Sequence, residues 1–277
     1  MKNHKTKLDT YRDLNVPGLL RRRVDVWLPK EYEPHPDQRF PVLYMHDGQM
    51  IFDSTHARSG GWKVNQAITS LADQHKIRPP IVVGMTSTLN RHYEYLPEKA
   101  LDYPGGMDTI KASKEGGLDQ EKREMPTLLI EWIVGKVKPE IDQRYRTLPD
   151  AENTAVMGSS LGGLLSLYIL CEYPQVFGKA ACLSTHWPVV GDGMIGYLVE
   201  NLPKPGKHKL YFDYGSVGLD SEYAPWQAKV DGLLREKGWR EGKDFVSWSF
   251  PGEDHTATAW ANRLHIPLTF LFGTIDY

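Results

Sequence analysis

The chemistry-bearing residues of this chain fall in a telling order. Ser160 stands at the centre of "VMGSSLGG" (156–163), where Gly158, Ser160 and Gly162 spell G-x-S-x-G. A serine hydroxyl is a poor nucleophile until a base takes its proton, and the base needs an acid to orient it. Downstream, "YFDYGSVGLDSEY" offers Asp213 and Asp220, and "FPGEDHTATAW" offers His255. Nucleophile, then acid, then histidine is the chain order of one well-known solution to acyl transfer. The competing reading of the pentapeptide is a glycine-rich corner where a helix packs closely on a sheet, with Ser160 as its N-cap. For Asp220 it is a helix N-cap, and for His255 a surface-loop histidine.

The flanking elements favour the catalytic reading. A nucleophile elbow needs a strand before it and a helix after it. "ENTAVMG" supplies the strand and "LGGLLSLYIL" the helix, with small residues at the turn. Ser159 precedes the centre of the turn and should point towards the sheet, so Ser160 is the nucleophile candidate. Asp213 falls inside the apolar run "KLYFDYG", whereas Asp220 lies beyond it in a glycine-bearing loop that can reach a histidine. His255 likewise follows the last strand-like run, ahead of a C-terminal helix. The helix start offers the backbone N–H of Leu161 to a developing oxyanion. "VLYMHDGQMIFD" has the form of a loop that gives the second donor: Gln49, with Gly48 the second choice.

Seven strand-like runs carry these loops: 23–29, 41–47, 80–86, 153–158, 179–184, 209–215 and 244–250. Most are short and nearly all apolar, as strands covered on both faces are. Helical patterns lie between them, clearest in "TLLIEWIVGKVKPEI", where Pro139 predicts a kink or end, in "GGLLSLYILCEY" and in "SEYAPWQAKVDGLLREKG", which stops at Gly238. Strands separated by helices predict a mostly parallel sheet with right-handed crossovers. No repeat or linker divides the sequence, so residues 1–277 read as one domain with an N-terminal arm over about 1–18. Residues 87–125 break the regularity with Pro97, Pro104 and two Gly pairs. Loops of this length are either functional or mobile, so a substrate-facing wall and a surface excursion both stay open. Arg91 and Glu94 in this stretch are candidates for a polar leaving group, against a surface ion pair. About two dozen residues separate the runs at 179–184 and 209–215, too few for a large cap. The cleft is therefore expected to be open and walled by loops, with His186 and Trp187 of "THWPVVGDG" beside the nucleophile as a pocket wall or as packing. His186 also competes as base, out of the expected order.

Other functions are disfavoured. The 277 residues carry a net charge of −2, without the basic field of a nucleic-acid binder. No segment approaches the roughly 18 apolar residues of a membrane span, and the N-terminus lacks the apolar region of a secretory signal. The two cysteines, Cys171 and Cys182, read as small buried hydrophobes rather than a disulfide framework, which points to a reducing, cytoplasmic setting. "HD" at 46–47 has no companion cluster at metal-ligand spacing, so neither metal nor cofactor is expected. "GDGMIG" (191–196) spells G-x-G-x-x-G, but "THWPVV" separates it from the preceding strand, and it reads as a loop rather than a dinucleotide site.

Taken together, "LYMHDGQMIFD", "RHYEYLP", "IDQRYRTLPDAENTAVMGSSLGGLLSLY", "FDYGSVGLD" and "PGEDHTATAW" resemble the putative esterase (esterase D-like) family of α/β-hydrolases over roughly residues 20–272. Relatives in that family include S-formylglutathione hydrolases, feruloyl esterases, enterochelin esterases and mycolyltransferases. The resemblance implies an α/β-hydrolase fold with helices on both faces of the sheet, and Ser160, Asp220 and His255 as nucleophile, acid and base. Similarity to the mycolyltransferases places the Gln49 N–H in the oxyanion hole and Trp62 of "GGWKVN" nearby. The expected activity is hydrolysis of a small-molecule carboxylic ester through an acyl-enzyme. An acyltransferase that hands the same acyl group to an alcohol or sugar is the alternative, and a non-catalytic binding protein the third reading. The subfamily features of formylglutathione hydrolases and the accessory modules found beside feruloyl esterases are not seen, so the identity of the ester and the oligomeric state stay open.

Overall fold

A computed structural model describes residues 7–15, 17–52, 61–108 and 118–274. Eight strands form one sheet: β1 (Lys7–Tyr11), β2 (Val24–Leu28), β3 (Val42–Met45), β4 (Ile81–Met85), β5 (Thr154–Ser159), β6 (Lys179–Leu183), β7 (Lys209–Tyr214) and β8 (Phe245–Ser249). Their spatial order is β1-β2-β4-β3-β5-β6-β7-β8. β1 and β2 pair antiparallel with their neighbours, and β3 through β8 run parallel. All seven expected strands are present. β1 was not foreseen: part of the expected arm pairs with β2, from Lys7 opposite Leu28 to Tyr11 opposite Val24. Its polar sequence KLDTY suits an edge strand and gave no apolar run to read.

The parallel strands are apolar at nearly every position because both faces are covered. Ile81, Val83, Met85, Val156, Ala180, Cys182, Leu210 and Phe212 point into one core. Their alternates Val82, Ala155, Met157, Ala181, Leu183 and Tyr211 point into a second. This period of two divides each run between two layers of helices. The helices are α1 (Val64–Asp73), α2 (Arg91–Glu94), α3 (Gln120–Trp132), α4 (Lys138–Arg144), α5 (Leu161–Glu172), α6 (Asp192–Asn201), α7 (Ala224–Glu236), α8 (Ala257–Arg263) and α9 (His265–Phe272). α5 buries Leu161 through Cys171 without a break, the mark of a central helix that is apolar all round. Both cysteines are buried and free.

Three local expectations change. Pro139 neither ends nor simply kinks its helix: a π-helical turn over Ile133–Val137 carries α3 into α4, whose first turn accommodates the proline. "GDGMIG" is not a loop, since Asp192 opens α6 behind Gly191. The turn at Trp187–Val189 still separates it from β6. Residues 87–125 form α2, a 3-10 turn over Glu98–Asp102 and the start of α3, with 109–117 outside the described residues. Tyr95, Leu96, Ala100 and Leu101 of this stretch are core residues, so that part of it is packed scaffold, while Leu89 is exposed. The crossover between β6 and β7 holds α6 and a short turn, with no large cap. Among the described residues, no helix is long and apolar enough to cross a membrane.

Candidate active site

The carboxyl ends of the parallel strands gather the candidates. Ser160 follows β5 directly, with φ 58° and ψ −124°. A left-handed φ at a residue with a Cβ is strained and persists only where its surroundings impose it. They do so here: the Ser160 N–H donates to Leu183 O at 2.9 Å, and its carbonyl accepts from Gly163 and Leu164, both at 3.1 Å, and from His186 at 3.2 Å. The turn is so tight that a Cβ on Gly158 would lie 2.6 Å from the Gly162 backbone. The Ser160 side chain makes no capping bond to α5, which removes the N-cap reading. Ser159 is buried in the sheet, while Ser160 is half-exposed.

Two strands away, a 3-10 turn over Gly218–Glu222 carries Asp220 back over the end of β7. Asp220 Oδ1 lies 2.5 Å from His255 Nδ1. Its Oδ2 accepts from the Ser184 hydroxyl and from the Gly215 N–H, each at 2.6 Å. Burial would raise the Asp220 pKa, but the hydrogen bonds from His255, Ser184 and Gly215 outweigh it and hold the carboxylate below its ordinary range. Asp213 has different partners. Inside β7 it accepts from Arg263 at 2.8 Å and from the Tyr211 hydroxyl at 2.9 Å. Arg263 and Trp260 also donate to Ser184 Oγ, at 3.0 and 2.9 Å. Sequence reasoning missed Ser184, Trp260 and Arg263, because contacts across 76 and 79 positions leave no local pattern.

Of the two residues expected to offer a second oxyanion donor, one is already engaged. Gly48 N–H donates to Met85 O at 2.8 Å, so it is already engaged. The Gln49 and Leu161 N–H groups have no protein acceptor among the described residues. Gln49 is held by its side chain, whose Nε2 donates to Ser87 Oγ at 2.7 Å and whose Oε1 accepts from Ser87 N–H at 3.0 Å. Asp47, at φ 56°, anchors the same loop through a paired contact with Arg91 at 2.7 and 2.8 Å. Arg91 is therefore tied to Asp47 and stacked 4.9 Å from the Tyr95 ring rather than free for a leaving group. Glu94 is fully buried against Arg22 at 2.6 Å, so the expectation that it contacts substrate is corrected. His46 packs on Tyr95 beneath the elbow.

Of the two expected wall residues, the structure separates His186 from Trp187. Trp187 is 1% exposed and packs 6.1 Å from Phe212 in the core, which leaves it no face for a ligand. His186 is half-exposed, with Nδ1 2.7 Å from the Tyr223 hydroxyl. Burial, with His255, His92 and Arg91 adding to it, pushes the His186 pKa down to about 4. It is neutral at pH 7 and a weak competitor as base. The Tyr223 ring lies 5.9 Å and the Trp260 ring 5.0 Å from the His255 ring, both nearly perpendicular to it. Trp62 is buried and packs 5.5 Å from Trp260, the ring that also meets His255.

A mostly parallel sheet covered on both sides, with a strained serine turn at the carboxyl end of a central strand, defines an α/β-hydrolase. The family model described as "Putative esterase" matches residues 20–263, and the chain belongs to that family of ester-hydrolysing enzymes. Among curated proteins it is similar to "Uncharacterized protein YbbA" of Bacillus subtilis (strain 168), 23% identical over 259 residues that cover 91% of this chain and 93% of that one. Among solved structures, a ferulic acid esterase superposes with a TM-score of 0.66 at 15% identity, covering 97% of this chain and 98% of the other. The enterobactin esterase FES from Shigella flexneri superposes with a TM-score of 0.69 at 16% identity, covering 97% of this chain and 59% of that protein.

Proposed function

We propose that this ester-hydrolysing enzyme is a cofactor-free serine carboxylesterase in which Ser160, His255 and Asp220 act as nucleophile, base and acid. The observation that carries the reading is the 2.5 Å contact between Asp220 Oδ1 and His255 Nδ1, with both donors to Oδ2 in place. An ionised carboxylate on Nδ1 keeps the proton there and leaves Nε2 as the acceptor. His255 Nε2 takes the Ser160 proton as Oγ bonds to the ester carbonyl carbon. The carbonyl electrons move onto oxygen, where the N–H groups of Leu161 and Gln49 stabilise the charge. As the tetrahedral intermediate collapses, the C–O bond to the alcohol breaks and His255 returns the proton to the leaving oxygen. Water then attacks the acyl-serine by the same route, releasing the acid and restoring Ser160.

The half-exposed His186 supports a polar wall beside the proposed base, with the buried Tyr223 behind it, and the substrate class is a small-molecule carboxylic ester. The two structural neighbours named for ferulic acid and enterobactin support placing aromatic esters in an activity panel beside acetyl, longer acyl and formyl-thioester substrates. The reading is tested by Ser160→Ala. Turnover of p-nitrophenyl acetate and labelling by a fluorophosphonate probe are both expected to vanish while the fold persists. Full activity in that variant overturns the assignment.

A further inference from the structure

We propose that Ser184 is a positioning residue that locks Asp220 towards His255, an inference that rests on reading those two residues as acid and base. Ser184 sits just past β6 at φ 42°, buried, and its hydroxyl meets three partners. Trp260 Nε1 and Arg263 Nη2 lie 2.9 and 3.0 Å away, and Asp220 Oδ2 lies 2.6 Å away. An indole N–H and a guanidinium only donate, whereas a hydroxyl has two lone pairs and one proton. The two donors fill the lone pairs of Ser184 Oγ, so its proton has a single destination, the Asp220 carboxylate. The hydroxyl rotor is thereby decided by its neighbours and not by the acid it serves.

The consequence for Asp220 is geometric. Oδ2 is held from two directions, by Ser184 Oγ and by the Gly215 N–H at 2.6 Å. Turning the carboxylate away from His255 would break both bonds, so Oδ1 stays aimed at Nδ1. Arg263 is itself held by Asp213 at 2.8 Å and lies 4.9 Å from the Phe250 ring. Asp213 therefore acts through its neighbours: it holds Arg263 and accepts from the Ser184 N–H at 3.2 Å, Arg263 and Trp260 fix the Ser184 hydroxyl, and Ser184 fixes Asp220. The chain draws Asp213 from β7, Arg263 and Trp260 from α8 and Asp220 from the turn after β7, and Ser184 is the junction. The charged and titratable groups around Asp220 and His255 in this network are Arg263, Asp213, Tyr223 and His186.

The test compares Ser184→Ala, Ser184→Gly and Ser184→Cys with wild type on p-nitrophenyl acetate across pH. Loss of a hydrogen bond to a charged group predicts a fall in kcat of about ten- to a hundredfold in the Ala and Gly variants, with KM unchanged. The thiol, a weaker donor, should fall between them and wild type. With one donor fewer, Asp220 holds protonated His255 more strongly, so the acid limb of the kcat/KM profile moves to higher pH. Glycine adopts the left-handed backbone freely, so an equal loss in the Gly variant assigns the effect to the hydroxyl and not to backbone strain. A hydroxyl that only stabilised the fold would lower the melting temperature and leave kcat and the acid limb in place. Wild-type kcat and pH profile in the folded variants, or recovery of kcat in Ser184→Gly, overturns the lock. Inactivity of Ser160→Ala beside unaffected Ser184 variants leaves the triad standing and removes only the lock. Activity of Ser160→Ala removes the triad itself.

Discussion

Replacing Asp220 by asparagine exchanges one carboxylate oxygen for an NH2 group, and the structure decides which. Oδ2 faces two donors, the Ser184 hydroxyl and the Gly215 N–H, each at 2.6 Å. An NH2 there would meet donors on both sides, so the asparagine carbonyl keeps that position and the NH2 turns to His255 Nδ1. A ring nitrogen facing a donor must accept, which moves the imidazole proton to Nε2, the atom that has to take the Ser160 proton. The neutral base is then in the wrong tautomer. The corresponding tautomer error in serine proteases lowers kcat about 10⁴-fold, equivalent to about 5.4 kcal/mol in the barrier. The same fall is expected here in kcat on p-nitrophenyl acetate at pH 7, with little change in melting temperature, because the substitution is isosteric and both Oδ2 bonds survive. Asp213→Asn is the control. It half-breaks a fully buried pair with Arg263, so its main effect should be on stability, on the order of 3 kcal/mol. An Asp220→Asn enzyme within tenfold of wild type, or one outperforming Asp213→Asn in kcat, refutes the reasoning.

Two further outcomes follow from buried charge. Glu94→Gln should leave Arg22 without its carboxylate at a site where the partners are 3% and 0% exposed, lowering stability in urea by roughly 3–5 kcal/mol. Its kcat should be unchanged, since neither residue reaches the substrate. His46 is buried and its Nε2 has no hydrogen-bond partner among the described residues. Burial, opposed by Asp47 and reinforced by Arg91 and Arg22, lowers its pKa from 6.5 to about 4. Between those values the unfolded chain binds the proton and the folded chain does not, so the stability given by neutral His46 is complete above pH 6.5 and declines as pH falls to 4. The loss is about 3 kcal/mol. A His46→Phe variant should show a correspondingly flatter melting temperature over that range, and an equally steep decline in both proteins would refute the assignment.

Residues with a period or a neighbour in sequence were legible before the structure. The apolar runs from Val42 to Phe245 announced parallel strands because both of their faces are buried. Ser160 was legible because strand, turn and helix are contiguous. Asp220 was preferred over Asp213 on an argument about reach, and in the structure the first meets His255 while the second meets Arg263. Illegible features were those whose partners are remote. Lys7–Tyr11 is a strand only because β2 presents an edge to it. Trp187 shares its sequence context with His186, yet as the first residue of the 3-10 turn over Trp187–Val189 it is buried against Phe212. Arg91 and Glu94 looked equally exposed in a polar loop, and tertiary pairing with Asp47 and Arg22 gave each a structural task instead.

Backbone strain links the elements that surround the proposed chemistry. Five non-glycine residues among those described have positive φ: Asp47, Lys63, His75, Ser160 and Ser184. Three of them follow the carboxyl ends of adjacent strands β3, β5 and β6. Asp47 ties the Gln49 loop to Arg91, Ser160 is the proposed nucleophile, and Ser184 holds Asp220. Such conformations cost of order 1–3 kcal/mol each, and a chain that needed only to turn would place glycine there. What glycine lacks is the side chain: the Asp47 carboxylate and the two serine hydroxyls must all point across the same edge of the sheet. At these three positions a left-handed turn aims a polar group back over the strand ends. The cost in backbone energy falls where the proposed donor loop, nucleophile and acid must converge, and the apolar cores on both faces of the sheet supply the stability to sustain it.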